Sequence, residues 1–521
     1  LLKSKWVWSL ALMSVPMVLA SCSNETESED ASSAEGAEEV VGGTFNYGYG
    51  TQPEVLDPHF TTAGATRDLV RPMYESLVTL NSNYEVVPML AESYDVSEDG
   101  KTITFNLREG VLFHDGEEMQ AEDVVASMER WHEIANVLPE SAYEVVDPYT
   151  VELHLEERNN SALHLIADIS QLAGIMPEEI ASNAPITGIT EYVGTGPYQF
   201  EVWHQDQHVQ LVRFEEYTGV EDEADGMAGQ KNAYVDEIFF HFVPDSQTKV
   251  AGLQTGEYDL ISYVPYDTYE MLENDDSLIV HTMPSGMEFL VFNKKEGIFS
   301  DTKARQAFNM AIDKEPVMKA AFNYEEFYSM EPALMIPDQA DWHTRAGEEH
   351  FNEYDPDRAL ELLDEAGYDG EEIVILTTRD YDHHYSVSVV VHQQLQELGL
   401  NATLNVVDWA TLLSLREDPS EFDIFVTASF IYAVPHQYPF FNSDWPGWTE
   451  HENYDMYFNQ IDQAESQEEA LEILAELQQF MYEDMPVMNV GHYSTIDATN
   501  DRVEGYEQLS GPILWNVQLA D

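Results

Sequence analysis

Residues Leu90 to Trp131 read LAESYDVSEDGKTITFNLREGVLFHDGEEMQAEDVVASMERW. Lys101 to Leu107 alternates, placing Ile103, Phe105 and Leu107 on one face, the pattern of a half-buried strand. Glu98-Asp99-Gly100 before it and His114-Asp115-Gly116 after it are turn chemistry. From Ala121 to Trp131 the period changes, and Val124, Val125, Met128 and Trp131 share one helical stripe. A strand, a turn and a helix within one short stretch predict an α/β chain.

The flanking sequence extends that reading. Thr44 to Gly50 alternates Phe45, Tyr47 and Tyr49 as a strand, and Asp68 to Leu80 spaces Leu69, Met73 and Leu77 as a helix. Glu144 to Leu155 reads as a strand through Val151, Leu153 and Leu155. In Gly194-Thr195-Gly196-Pro197-Tyr198 two glycines permit a tight backbone path and Pro197 bars a helix. No Lys-Ser/Thr pair follows, so this is a structural turn rather than a phosphate loop. Tyr234–Phe242, Ser246–Gly256 and Tyr258–Leu260 predict strand, helix and return strand. From Met283 onward come a buried strand at Phe289–Asn293, a helix at Thr302–Ile312 and a helix capped by Asp355-Pro356 that stops at Gly367. Strands and helices then alternate through Glu372–Thr378, Tyr385–Leu398, Asn401–Val407, Ala410–Arg416 and Phe422–Thr427. That alternation predicts a lobe with a partly parallel sheet. A helix at Glu468–Met481 and a strand at Pro486–Val490 follow.

The net charge of −76 over 521 residues is extreme, yet 44% of residues are hydrophobic and 12% aromatic. Such a chain can bury a core, so disorder does not explain the charge. The acids are spread along the whole length, a surface that repels nucleic acid and anionic lipid. It suits high salt, where repulsion is screened within about 3 Å at 1 M, and a halophilic source is expected. The length predicts two or three lobes.

The chain starts with Lys3 and Lys5, then an apolar run from Trp6 to Leu19, too short to span a bilayer and shaped like a secretory signal. Residue 1 is Leu, so an alternative or upstream start is expected. Leu19-Ala20-Ser21-Cys22 looks like a bacterial lipobox, and Cys22 is the only cysteine. Residues 1–21 are therefore expected to be a signal peptide. Cys22 is the expected acylated anchor, heading a flexible acidic tether over 22–42.

Enzyme motifs fail on inspection. His132-Glu133-Ile134-Ala135-Asn136 has Asn where a zinc protease needs its second histidine. Gly100-Lys101-Thr102 mimics a phosphate loop, but Asp95 stands where glycine is required. No Gly-x-Ser-x-Gly elbow occurs. His383-His384, taken as strand neighbours, would point to opposite faces. They and His436 with His451 are read as surface histidines, and no metal or cofactor is assigned.

The opening stretch, the Thr51-Gln52-Pro53-Glu54-Val55-Leu56-Asp57-Pro58-His59 loop, the Gly194–Tyr198 turn and the Arg305-Gln306-Ala307…Ile312-Asp313-Lys314 phrase together resemble one family. It is the extracellular solute-binding proteins of the peptide/nickel class of ABC transporters, family 5. The likeness covers roughly Thr44 to Asn489, with low similarity between Pro439 and Glu452. It implies a two-lobed periplasmic-binding-protein-like α/β fold with an extra subdomain and a ligand cleft between lobes. By this likeness lobe I takes 43–75, 185–282 and 487–521, the extra subdomain 76–184, and lobe II 283–486. It implies no catalysis. A monomer, anchored to the outer membrane face by lipid, would hand a small solute, a peptide first, to ABC permease and ATPase chains. A same-fold sensor, a nickel-chelate or oligosaccharide binder, and more remotely a secreted hydrolase remain as other readings. The ligand residues implied are Thr51 and Gln52, Met287 and Phe289, Trp409, Phe430 and Tyr432, and Asp444 with Trp445 and Trp448. Peptide binders of the family carry an Asp-Pro pair that holds the ligand ammonium. Here Val434-Pro435 stands there, and Asp444 is the substitute the sequence offers.

Overall fold

The computed structural model describes residues 41–138, 141–450 and 452–520. The signal segment, Cys22, most of the tether and His451 lie outside the described residues. The opening stretch folds as strands Ala91–Val96 and Thr102–Leu107 followed by a helix over Ala121–Ala135. Ile103, Phe105, Leu107, Val124, Met128 and Trp131 are all buried. The helix starts where the Asp123 carboxylate accepts the Gln120 N–H at 2.9 Å, and it stops at left-handed Asn136. The two strands join Thr150–Leu155 and Ser141–Asp147 in a four-stranded antiparallel sheet.

Two expectations need correction. Glu144–Leu155 is not one strand but the turn and arms of a hairpin, because Pro148 has no N–H and Asp147 Oδ1 accepts from Tyr149 N at 3.0 Å. The helix expected over Asp68–Leu80 spans only Gly64–Val70. Pro72 has no N–H to continue the helical hydrogen-bond ladder, and Val78–Leu80 instead pairs with Val86–Pro88.

The main sheet runs, edge to edge, Ala402–Val407, Ile373–Thr378, Ile424–Phe430, Leu278–Phe292, Val487–Asn500, Leu260–Ile261, Thr44–Tyr49, Glu237–Phe242, His208–Arg213 and Tyr198–His204. Ile373–Thr378 is parallel to both neighbours, and so is Thr44–Tyr49. The long central strands pair antiparallel from Leu278 opposite Asn500 to Val291 opposite Val487. Their register breaks between Pro284 and Gly286, and again between Glu288 and Phe289. The first break separates a half-sheet built around Thr44–Tyr49 from one built around Ile373–Thr378, so the two-lobed α/β expectation holds.

The recognisable phrases of the sequence clamp one another. Asp57 receives both terminal nitrogens of Arg130, at 2.6 and 3.1 Å, and both side chains are buried. Arg130 also donates to His59 Nδ1 at 3.0 Å, so the other ring nitrogen carries the proton toward Gly174 O at 2.8 Å. His114 works alike, accepting from Gly194 N at 3.2 Å and donating to Gly196 O at 3.0 Å. The Gly194 turn is a packing device, since a Cβ there would stand 2.1 Å from Met73 O.

Both histidines are held neutral, chiefly by burial, with pKa lowered to about 4. Asp57 and Arg130 face His59, and Glu75 and Asp115 act on His114. Because the folded pKa lies below the unfolded value, the unfolded chain binds more protons between about pH 6.5 and 4. Stability from these groups is present above that window and is lost as pH falls through it, about 3 kcal/mol for each. In urea titrations, H114Q is expected to lose less stability than the natural chain between these pH values. Equal slopes would contradict the assignment.

Candidate functional site

The register break leaves a floor built from residues on one sheet face. Gly286 lies between Phe430 and Tyr493, and in the next row Glu288 lies between Ala428 and Gly491. Gly286 supplies no side chain, and Phe430 is 43% exposed at its strand end. Beside Gly286 and Tyr493 opens a cavity of 160 Å³, lined also by Tyr328, Asp338, Ser494 and Glu326.

One wall comes from the helix Asp382–Glu397. His383 and His384 stand in its first turn and converge on the buried Glu288 carboxylate, with Nδ1–O distances of 2.9 and 2.7 Å. This corrects the surface reading. Both lie on a helix, where consecutive residues need not oppose, and His384 is only 4% exposed. Burial pushes the Glu288 carboxyl up, but the two imidazoles more than offset it and leave its pKa at about 2. Burial lowers His384. The His384 ring stacks on Trp409 at 5.9 Å, and Tyr381, 43% exposed, meets Trp409 edge-on at 5.1 Å.

A second polar cluster belongs to the Thr44–Tyr49 half. Asp68 accepts from Tyr49 Oη and from Arg67 Nε, both at 2.8 Å. Tyr263 N donates to Asp497 Oδ1 at 3.2 Å, and Asp497 also accepts from Tyr506 and Gln508 at 2.7 Å each. Tyr263 is 45% exposed, and burial of its phenol followed by the Asp68 charge pushes that group up to about 12. Tyr493 is within electrostatic reach of both clusters. Its pKa is raised by burial first, then by Glu288 from one half and by Tyr266 and Tyr263 from the other.

The residues expected from sequence scatter relative to this cleft. Trp409 stacks on His384, and Phe430 stands opposite Gly286. Thr51 is exposed, and Gln52 Oε1 pins a hairpin by accepting from Asp206 N at 2.6 Å and Trp203 Nε1 at 3.4 Å. Met287 and Phe289 are buried in the core, Phe289 edge-on to Phe440 at 5.2 Å. The half-buried Tyr432 packs on Tyr438, and its carbonyl accepts from Gln339 at 2.6 Å. Asp444 is exposed beside a separate cluster. There Trp445 packs on Phe425 and Arg416, and Trp448, 7% exposed, stacks on Phe422 under Lys295. Glu288, Tyr263, Tyr381 and Tyr493 were missed. Glu288 had a visible signal, an acid ahead of the apolar run Phe289–Phe292 in a strand buried on both faces.

Comparison with known proteins bears on this architecture. A family model described as bacterial extracellular solute-binding proteins, family 5 Middle, matches residues 85–465. A probable peptide ABC transporter periplasmic-binding protein, y4tO of Sinorhizobium fredii, is 29% identical over 89% of this chain and 92% of its own. The glutathione-binding protein GsiB of Salmonella paratyphi A is 30% identical over 69% of this chain and 68% of its own. Among solved structures, AppA of Bacillus subtilis with a nonapeptide superposes with a TM-score of 0.75 at 22% identity, covering 93% and 100% of the two chains. CtaP of Listeria monocytogenes gives 0.80 at 21%, covering 92% and 100%. No helix among the described residues is long and apolar enough to cross a membrane. The matched span, the two-lobed α/β fold and the cleft agree, and this chain belongs to the bacterial extracellular solute-binding proteins, family 5.

Proposed function

We propose that this protein is the lipid-anchored receptor of an ABC importer, that its solute is a short peptide, and that it delivers this to the permease. The observation that carries the peptide reading is the cleft itself, an aromatic floor of Phe430 and Tyr493 with the Gly286 gap between them and an acidic cavity alongside. Placed polar groups among aromatics are the chemistry that orients a peptide. With Val434-Pro435 in place of the Asp-Pro pair, Asp338, exposed at that cavity, is the acid assigned to the ligand ammonium in preference to Asp444. Calorimetry with di- to pentapeptides tests this. D338N is expected to weaken binding at least 10-fold and D444N to leave it unchanged. The reverse result returns the role to Asp444, and no heat with any peptide rejects the peptide reading.

Closure around the solute is the mechanism. Ligand contacts with both lobes stabilise the shut form. Gln437 Nε2 donates to Asp168 Oδ2 at 2.6 Å, and Ser161 Oγ to Asp462 Oδ1 at 2.8 Å, both bridging 76–184 and 283–486. Anchoring at Cys22 rests on the Leu19-Ala20-Ser21-Cys22 sequence. A halophilic source rests on the net charge of −76. On that reading the melting temperature rises steeply between low and molar salt, and a flat response would contradict it.

A further inference from the structure

Among the described residues, Glu288, His383 and His384 each offer a metal-ligating atom within 4.8 Å of the others. Two imidazole nitrogens and one carboxylate oxygen form the donor set of sites that keep a coordination position open. We propose that these three side chains bind one divalent first-row transition ion of the imidazole-preferring kind, zinc, nickel or copper, with its remaining positions facing the cleft. The geometry needs little change. Donors at about 2.1 Å from a common ion stand about 3.0–3.4 Å apart, and here each Nδ1 is 2.9 or 2.7 Å from its carboxylate oxygen.

The surroundings hold the donors in place. His384 stacks on Trp409, and His383 stacks on Phe322 at 5.7 Å and leans on Tyr493 at 5.5 Å. The two imidazole centroids are 4.1 Å apart. Ala428 and Gly491, opposite Glu288 on the neighbouring strands, leave space beside the carboxylate for both rings. The His383 side chain keeps 19% exposure, so an ion there is reachable. The proposal rests on the cleft reading only for what fills the open positions, where donor atoms of a bound solute would sit.

A chain with 98 acids gathers cations over its surface, so the test must discount them. The purified full chain, stripped with chelator, is dialysed against zinc in molar sodium chloride with excess magnesium, which prefers oxygen donors. Elemental analysis is expected to find one zinc per chain. H383Q and H384Q are expected to lose affinity at least 10-fold with unchanged circular dichroism, and H436Q to keep it. H383Q replaces a part-exposed side chain, so it stays informative if H384Q fails to fold. Zinc displaced by magnesium, or retained equally in H383Q, would show surface carboxylate binding only and overturn the site, as would no uptake. Peptide calorimetry on the zinc-loaded chain separates the two readings, because its failure with zinc retained removes the peptide and leaves the metal site.

Discussion

Asp57→Asn is expected to destabilise the folded chain by about 3–5 kcal/mol, the cost of leaving one member of a buried ion pair alone. Asp57 is wholly buried and binds Arg130 at 2.6 Å. Its carboxylate also accepts from His59 N at 2.9 Å and Ile189 N at 3.1 Å. An amide keeps the shape but loses the charge and presents a donor to the guanidinium. The pair joins the loop after the first strand to the helix of the opening stretch. The urea midpoint, with an unchanged denaturant slope, is the measurement. A loss under about 1 kcal/mol, the worth of an exposed pair, would contradict the clamp.

Gly286→Ala is expected to cost on the order of 3 kcal/mol through overpacking and to abolish the ligand response. A Cβ at this position would stand 1.8 Å from Ser429 O and 3.2 Å from the Tyr493 ring. The contact at 1.8 Å is with main chain, which cannot swing aside as a side chain would. Ile424–Phe430 must move off its partner, carrying Phe430 away from the floor and Ala428 away from Glu288. Thermal melts with and without peptide read both effects. A variant that melts normally and still responds would remove Gly286 from the floor.

The fold was largely legible because local pattern and tertiary context agreed. Ile103, Phe105 and Leu107 alternate in sequence and are buried in fact, and Asp355-Pro356 caps a helix by accepting from Arg358 N at 3.0 Å. Where Pro72 and Pro148 intervene, periodicity misled, because a missing N–H outweighs the apolar spacing. The site was much less legible. Trp409 and Phe430 stand beside His384 and Gly286, while Trp448 and Phe289 serve the core, and sequence does not separate the two uses. His383 and His384 were placed on the surface because the pair was judged as strand. Their meaning depends on Glu288, 95 residues away in sequence, and only the folded sheet brings them together.

Small-angle X-ray scattering of the purified protein, titrated with a di- to pentapeptide mixture alongside calorimetry, tests closure around the solute. Binding heat is expected to be accompanied by a fall in radius of gyration, as the lobes shut over the solute. Binding heat with an unchanged radius of gyration would contradict closure around the solute.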